Sequence, residues 1–386
     1  MHDTDQPGAS NRTGRYQLQP RGYRAFVPAS LPPYPPVHIT GAMQRLLSEA
    51  DLALGRLDGS IQILPNPDVF VFMYVRKEAV LSCQIEGTQG SLQDLLAAEA
   101  RLYYPEAPKD VDEVINYVAA MNHGLRRLPD LPVSVHLIRE IHEQLLQGVR
   151  GRHPTPGELR SSQNWIGPRG CTLANATFVP PPPELVQPAL GDLETFLNSD
   201  SDLPTLIRIG LAHAQFETIH PFLDRNGRVG RLLITFLLMK SGVLHKPVLY
   251  LSRYLKAHRS RYYDLLQGIR DRGDWEAWLA FFLRGVAEVS AQASDTARAI
   301  LQLRESDRTK IADGLGRAAG NGHRVLEHLY ERPILSVNEI RDLIGFTYTA
   351  ANHLVDRLIA TGILEEVTGH TRNRRFRYAA YIALFD

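Results

Sequence analysis

His220-Pro221-Phe222-Leu223-Asp224-Arg225-Asn226-Gly227-Arg228-Val229-Gly230-Arg231 is the stretch from which the rest of the chain can be read. Before it, Leu206, Ile207, Ile209, Leu211, Ala214 and Ile219 recur at helical spacing; after it, Leu232, Leu233, Ile234, Phe236, Leu237 and Leu238 form an almost wholly apolar run. The pattern predicts two buried helices flanking a polar loop. Pro221 cannot donate a backbone hydrogen bond inside a helix and Asn226-Gly227 is a turn pair. The first helix should therefore end near His220 and the second begin near Gly227 or Arg228.

That layout has chemical consequences. A helix start attracts anions through its unpaired N–H groups and the positive end of its dipole, and a glycine there lets a phosphate approach the backbone. Arg228 and Arg231 share a face of the opening turns and can hold further phosphate groups. Asp224 is a hard oxygen ligand suited to magnesium. His220, titrating near neutrality, is the candidate general base. Taken singly, each residue is better explained by a helix break, a solvated turn or a surface charge. Together they meet the requirements of a site that attacks a phosphate.

The stretch resembles the motif of the Fic (filamentation induced by cAMP) family, His-Pro-Phe-x-x-Gly-Asn-Gly-Arg-x-x-Arg, with Arg225 where the usual form has glycine. The resemblance implies that His220 deprotonates a target hydroxyl, that Asp224 holds magnesium, and that Asn226, Gly227, Arg228 and Arg231 grip the phosphates of ATP. Arg225, Val229 and Gly230 fall in the same nucleotide-binding stretch. A positive φ at position 225 would strain a non-glycine residue by about 1 kcal/mol, without abolishing catalysis.

Asp68 to Thr88 reads as a buried helix stopped by Gly87. Glu86 then lies in the last turn, where the dipole disfavours an anion by about 0.3 to 1 kcal/mol, so it should seek a cation from outside the helix. Ser82, one turn earlier, shares its face. The Ser-x-x-x-Glu-Gly spacing of Ser82, Glu86 and Gly87 resembles the inhibitory helix of Fic proteins, although alone it also fits a surface helix end. The resemblance implies that Glu86 pairs with Arg231 and keeps the terminal phosphate of the nucleotide from its productive seat. Such a pair is worth about 4 kcal/mol, less than the roughly 5.5 that inverts a 1:99 equilibrium, so a leaky lock is expected.

With 386 residues the chain should divide into domains. A net charge of +1 gives no global nucleic-acid or membrane signature. Cys83 and Cys171 offer neither a disulfide framework nor a metal quartet, which suits a reducing compartment. The N-terminus lacks a secretion-signal pattern, and the apolar run from Leu232 to Met239 is too short to span a bilayer. A soluble cytoplasmic protein is expected, with no membrane partner and a symmetric homodimer as the base-rate assembly.

Residues 1–38, ending in Leu31-Pro32-Pro33-Tyr34-Pro35-Pro36, read as an extended arm. Residues 39–110 form an N-terminal helical region holding the inhibitory helix, with Ser91 capping a further helix and Asp94 in its first turn. Residues 111–303 form the catalytic domain, whose shell helices run over about 109–128 and 134–146; His123, His136 and His142 read as structural. Glycines and β-branched residues over 148–183 suggest a short hairpin. The resemblance, including Gly157-Glu158-Leu159-Arg160, implies a flap that holds the target as an added strand; a surface loop is the alternative. Tyr262 is by resemblance a nucleotide contact and otherwise a core tyrosine. A helix from Asp274 to about Arg304 leads to a linker over 304–321.

Residues 322–386 resemble a winged helix-turn-helix domain. Thr349, Asn352, His353 and Arg357 would lie on its recognition helix, and His370, Arg372, Asn373, Arg374, Arg375 and Arg377 at its hairpin tip. This local positive cluster would suit DNA phosphates, or the domain would serve protein interaction or dimerisation.

The fold expected is mainly α: a Fic-type helical core with a short β-hairpin flap and a C-terminal winged helix domain. The function the resemblance implies is a protein adenylyltransferase moving AMP from ATP, with Mg2+, to a Ser, Thr or Tyr hydroxyl of a protein. The alternatives are a DNA-binding transcriptional regulator whose Fic domain senses nucleotide, and a Fic enzyme that transfers or removes another group.

Overall fold

In the computed structural model, residues 12–62, 64, 67–102, 110–148, 155–168, 170–370 and 372–385 are described. Where composition suggests an extended arm, the chain forms an antiparallel hairpin of β1 (Gly14–Leu18) and β2 (Arg24–Pro28). Burial decides this: Ala25 and Phe26 are fully buried, Phe26 packs edge-on to Tyr16, and its N–H donates to Val179 O at 2.9 Å. Such long-range partners are invisible to a composition argument. Residues 1–11 of the expected arm lie outside the described residues.

Helix α1 (Gly41–Gln62) follows, then α2 (Pro67–Ile85) and α3 (Leu92–Glu99), whose Ser91 and Asp94 form the capping box read from sequence. The shell helices are α4 (Val111–Arg127) and α5 (Val135–Leu145), the latter capped by Ser134. His123 and His136 both meet Glu140, which also takes Arg127, while His142 stacks on Phe222 at 3.7 Å. The expected hairpin at 148–183 is reduced to one antiparallel bridge, Ile166 with Phe178, closing a loop that holds a single 3-10 turn at Leu173–Asn175. Residues 149–154 and 169 of that region lie outside the described residues.

Next come α6 (Pro183–Asn198), α7 (Thr205–Ile219), α8 (Asn226–Lys240), α9 (Ser252–Ala257) and α10 (Arg259–Arg272). Helix α7 is buried from Ile209 through Ile219, and α8 is buried along nearly all of its length. These are the two helices around the motif. Gly124 of α4 allows α8 to approach, because a Cβ there would lie 2.3 Å from Phe236 Cζ.

Helix α11 runs from Trp275 to Leu315, through most of the stretch expected to be a linker. Its polar composition conceals a buried face: Ile300, Asp307, Ile311 and Leu315 are all buried and recur at helical spacing. Asp307 accepts a hydrogen bond from Tyr378 Oη at 2.5 Å and pairs with Lys310, so residues 304–315 are a packed beam rather than a tether.

The C-terminal unit holds α12 (Ala319–Glu331), β3 (Ile334–Ser336), α13 (Val337–Ile344), α14 (Tyr348–Ala360), β4 (Glu365–Glu366), β5 (Arg375–Arg377) and a short α15 (Ala379–Ile382). Ser336 caps α13 together with Glu339, and the strands pair antiparallel in the order β3-β5-β4. Tyr330, Tyr381 and Phe385 pack into an aromatic cluster that reaches Tyr74 of α2. The C-terminal unit therefore bears directly on the helix that leads to Glu86.

Candidate active site

Helix α7 ends on His220 in the left-handed region, φ 47° and ψ 61°. A non-glycine residue is strained there by about 1 kcal/mol or more, and hydrogen bonds from residues 160–164 offset it. Arg160, buried, donates from Nε to His220 O at 2.9 Å, its own N–H donates to Pro221 O at 2.9 Å, and Asn164 Nδ2 donates to Phe222 O at 2.9 Å. Sequence reasoning met Arg160 only as part of a pattern and missed Asn164. Burial, aided by the charges of Arg270 and Arg160, pushes the His220 pKa down to about 3. The imidazole is neutral at physiological pH, the state a proton acceptor requires.

The loop is closed by Asn226, whose Oδ1 accepts from Phe222 N at 2.9 Å and whose Nδ2 donates to Phe222 O at 2.8 Å. Both polar ends of its side chain are thus taken up by the loop. Arg225 sits at φ 65° and ψ 8°, the glycine-type conformation expected of the position. Helix α8 opens at Asn226 with no side-chain cap, which leaves its first N–H groups available to an anion. His220, Asp224, Gly227 and Arg228 line one cleft of about 440 Å³ together with Glu86, Thr88 and Glu113.

Arg231 is buried at 2% side-chain exposure. Its Nε donates to Ser82 Oγ at 2.7 Å, and its Nη2 donates to Ser82 O at 3.1 Å and to Glu86 Oε1 at 2.7 Å. Glu86 is held at the end of α2 by a two-bond cap: Thr88 N–H donates to Cys83 O and Gly87 N–H to Gln84 O, with Gly87 at φ 98°. A Cβ on Gly227 would lie 2.4 Å from Glu86 Oε1, so the carboxylate rests over the backbone at the start of α8. Ser82, Glu86, Gly87 and Arg231 thus come together as the sequence reading expects.

Several expected nucleotide contacts point elsewhere. Tyr262 is buried at 1% exposure with Oη 2.9 Å from His213 Nε2, which makes it a core residue. Its neighbour Tyr263 is 40% exposed and lies near Glu86 and Arg231. Val229 is buried, and Gly230 packs so closely on Glu217 that a Cβ would fall 2.2 Å from Glu217 Oε1. Burial pushes the carboxyls of Glu217 and of Glu78, which both lie near Arg231, up to about 7.

Among the described residues no group of three or more His, Cys, Asp and Glu gathers to hold a metal. The Asp224 side chain is 72% exposed and Oδ1 accepts from Arg225 N at 2.7 Å. One exposed carboxylate suits an ion held chiefly by substrate phosphates and water.

Comparison with known proteins agrees with this geometry. The Fic/DOC family N-terminal region matches residues 44–126 and the Fic/DOC family domain matches residues 132–238. A probable protein adenylyltransferase of Aquifex aeolicus is 27% identical over 201 residues, which cover 49% of this chain and 56% of that protein. A protein adenylyltransferase Fic of Aedes aegypti is 33% identical over 191 residues, covering 48% and 33%. The chain thus spans about a third to a half of the length of these curated relatives. Among solved structures, a Fic family protein from Desulfovibrio desulfuricans superposes with a TM-score of 0.57 at 20% identity over 89% of this chain and 97% of that one. A Fic domain containing signaling protein from Bacteroides thetaiotaomicron gives 0.50 at 19% identity over 67% and 95%. No described helix is long and apolar enough to cross a membrane. With the His220–Arg231 motif, the helix pair that carries it and both matched regions in agreement, the chain belongs to the Fic/DOC family.

Proposed function

We propose that the protein is an adenylyltransferase that transfers AMP from ATP to a Ser, Thr or Tyr hydroxyl of a protein target. The observation that carries this is the sharing of one cleft by a neutral His220 and the uncapped start of α8. His220 accepts the target's hydroxyl proton as its oxygen bonds to the α-phosphorus; the bond from that phosphorus to the bridging oxygen breaks and pyrophosphate leaves. The first N–H groups of α8, with Arg228, hold the phosphates and stabilise the charge that develops on them. Asp224 would hold Mg2+, which supplies charge neutralisation at the phosphates. In the present arrangement Glu86 occupies Arg231 and covers Gly227, which we read as the autoinhibited state.

The segment around Ile166 and Phe178, where Trp165 is 42% exposed, is the proposed target rest. We read the C-terminal unit as a winged helix, but its basic cluster is largely neutralised: Arg374 meets Asp356 and Glu366, Arg375 meets Glu339 and Arg377 meets Glu365. That weakens the case for a DNA-binding regulator. The deciding experiment incubates the Glu86→Gly protein with α-labelled ATP and a cell lysate. Label on protein that disappears with His220→Ala supports the proposal; no transferred label refutes it.

A further inference from the structure

The carboxylate of Glu113 joins two arginines of the motif. Arg225 grips it as a fork, Nη1 to Oε2 and Nη2 to Oε1, both at 2.7 Å. Arg228 Nη2 donates to the same Oε2 at 2.7 Å and to Thr88 Oγ1 at 3.0 Å. The side chains of Arg228 and Arg225 are only 4% and 9% exposed, and that of Glu113 is 25% exposed, so these charges act on one another with little screening. Glu113 stands in the first turn of α4, far in sequence from both arginines.

The charge balance of this group bears on the cleft. One carboxylate against Arg228 alone would cancel the positive charge nearest the open start of α8. Asp224 also lies 3.4 Å from Arg225 Nε, but its side chain is 72% exposed and screened by water; within the buried part of the group two cations share one carboxylate, which leaves a net positive charge. The geometry divides the labour: Arg225 occupies both oxygens, whereas Arg228 shares only one of them, and Arg228 Nε has no hydrogen-bond partner among the described residues. The backbone at 225 keeps the conformation of a glycine, so the arginine is placed there against a backbone preference that its side-chain contacts must offset.

We propose that Glu113 is a positioning residue that fixes the direction of Arg228 in the phosphate seat, and that Arg225 is its counter-ion, keeping the charge of Arg228 available to an anionic ligand. This rests on the reading of the cleft as the seat of a nucleoside triphosphate.

The test uses the full chain in a Glu86→Gly background, titrated by calorimetry with MgATP and separately with inorganic pyrophosphate. Arg225→Gly should weaken both ligands about tenfold, since Glu113 then neutralises Arg228. Adding Glu113→Gln should restore binding to within about threefold of the parent, a recovery that a merely structural pair would not give. Glu113→Ala, which removes anchor and charge together, should bind several-fold more weakly than Glu113→Gln. Melting temperatures establish that each variant is folded. Unchanged affinity in Arg225→Gly, no recovery in the double variant, or equal affinity of the two Glu113 variants overturns the proposal. If pyrophosphate follows the pattern while MgATP does not bind, the inference stands and the nucleotide reading falls; if neither ligand binds the parent, both fall.

Discussion

Glu86 Oε1 and Arg231 Nη2 stand 2.7 Å apart, across the backbone of Gly227 in the first turn of α8. The pair joins the end of one helix to the second turn of another, and it places an anion where the family motif calls for phosphate. Removing the carboxylate should raise AMP transfer by tenfold or more, since tenfold corresponds to only about 1.4 kcal/mol. Ser82→Ala should raise it less, because Glu86 still holds Arg231 in that variant. Initial rates of label transfer check both, and equal rates in the parent and Glu86→Gly proteins would refute the lock.

Tyr262 and Tyr263 separate by function. Tyr262→Phe loses the hydrogen bond to His213 and should lower stability by about 1 kcal/mol while leaving nucleotide affinity unchanged. Tyr263→Ala should weaken MgATP binding in the Glu86→Gly background. Paired melting and calorimetric titrations distinguish a core tyrosine from one beside the site.

Buried carboxyls and buried histidines should pull stability in opposite directions as pH changes. Glu217 and Glu78 have folded pKa values raised to about 7, so their contribution is complete below the unfolded value of 4.5 and is lost as pH rises through 7. His142 and His213 are lowered by burial to about 4, so their contribution is lost as pH falls from 6.5 towards 4. Linkage puts the loss at about 3 kcal/mol per buried carboxyl by pH 8 and about 2 per buried histidine by pH 5. Glu217→Gln should therefore raise the melting temperature at pH 8 and leave it little changed at pH 4.5. An equal shift at both pH values would contradict this assignment.

Residues 304–315 should resist trypsin. Arg304, Arg308 and Lys310 offer cleavage sites, and a flexible linker would be cut there first. In the helix Arg304 pairs with Glu327, and the chain stays bound to the C-terminal unit through Asp307 and Tyr378. Asp307→Ala should destabilise the protein by about 3 kcal/mol and expose these sites, since it removes the acceptor of a buried hydrogen-bonded group. Limited proteolysis followed by mass spectrometry reads both outcomes.

Asp224→Ala, or removal of divalent ions by a chelator, should abolish transfer while leaving weak ATP binding through α8 and its arginines. Retained transfer without divalent ions would remove Asp224 from the mechanism.

Local sequence by itself determined the parts whose partners lie within a turn or two. The break at Pro221, the opening of α8 near Gly227, the Gly87 cap that exposes Glu86, and the Ser91 and Ser336 caps all follow from backbone geometry and short-range hydrogen bonding. The likeness to a family motif added the Glu86–Arg231 pair. Polar composition misled at 304–315, because averaging over residues hides a single buried face, and at the N-terminal hairpin, whose burial against Val179 no local pattern encodes. Only the tertiary structure brought Glu113 and Thr88 to Arg228, Arg160 to the carbonyl of His220, and Tyr262 into the core. These contacts join segments scores of residues apart, and charge pairing and burial act through distance in space, which the order of residues along the chain does not carry.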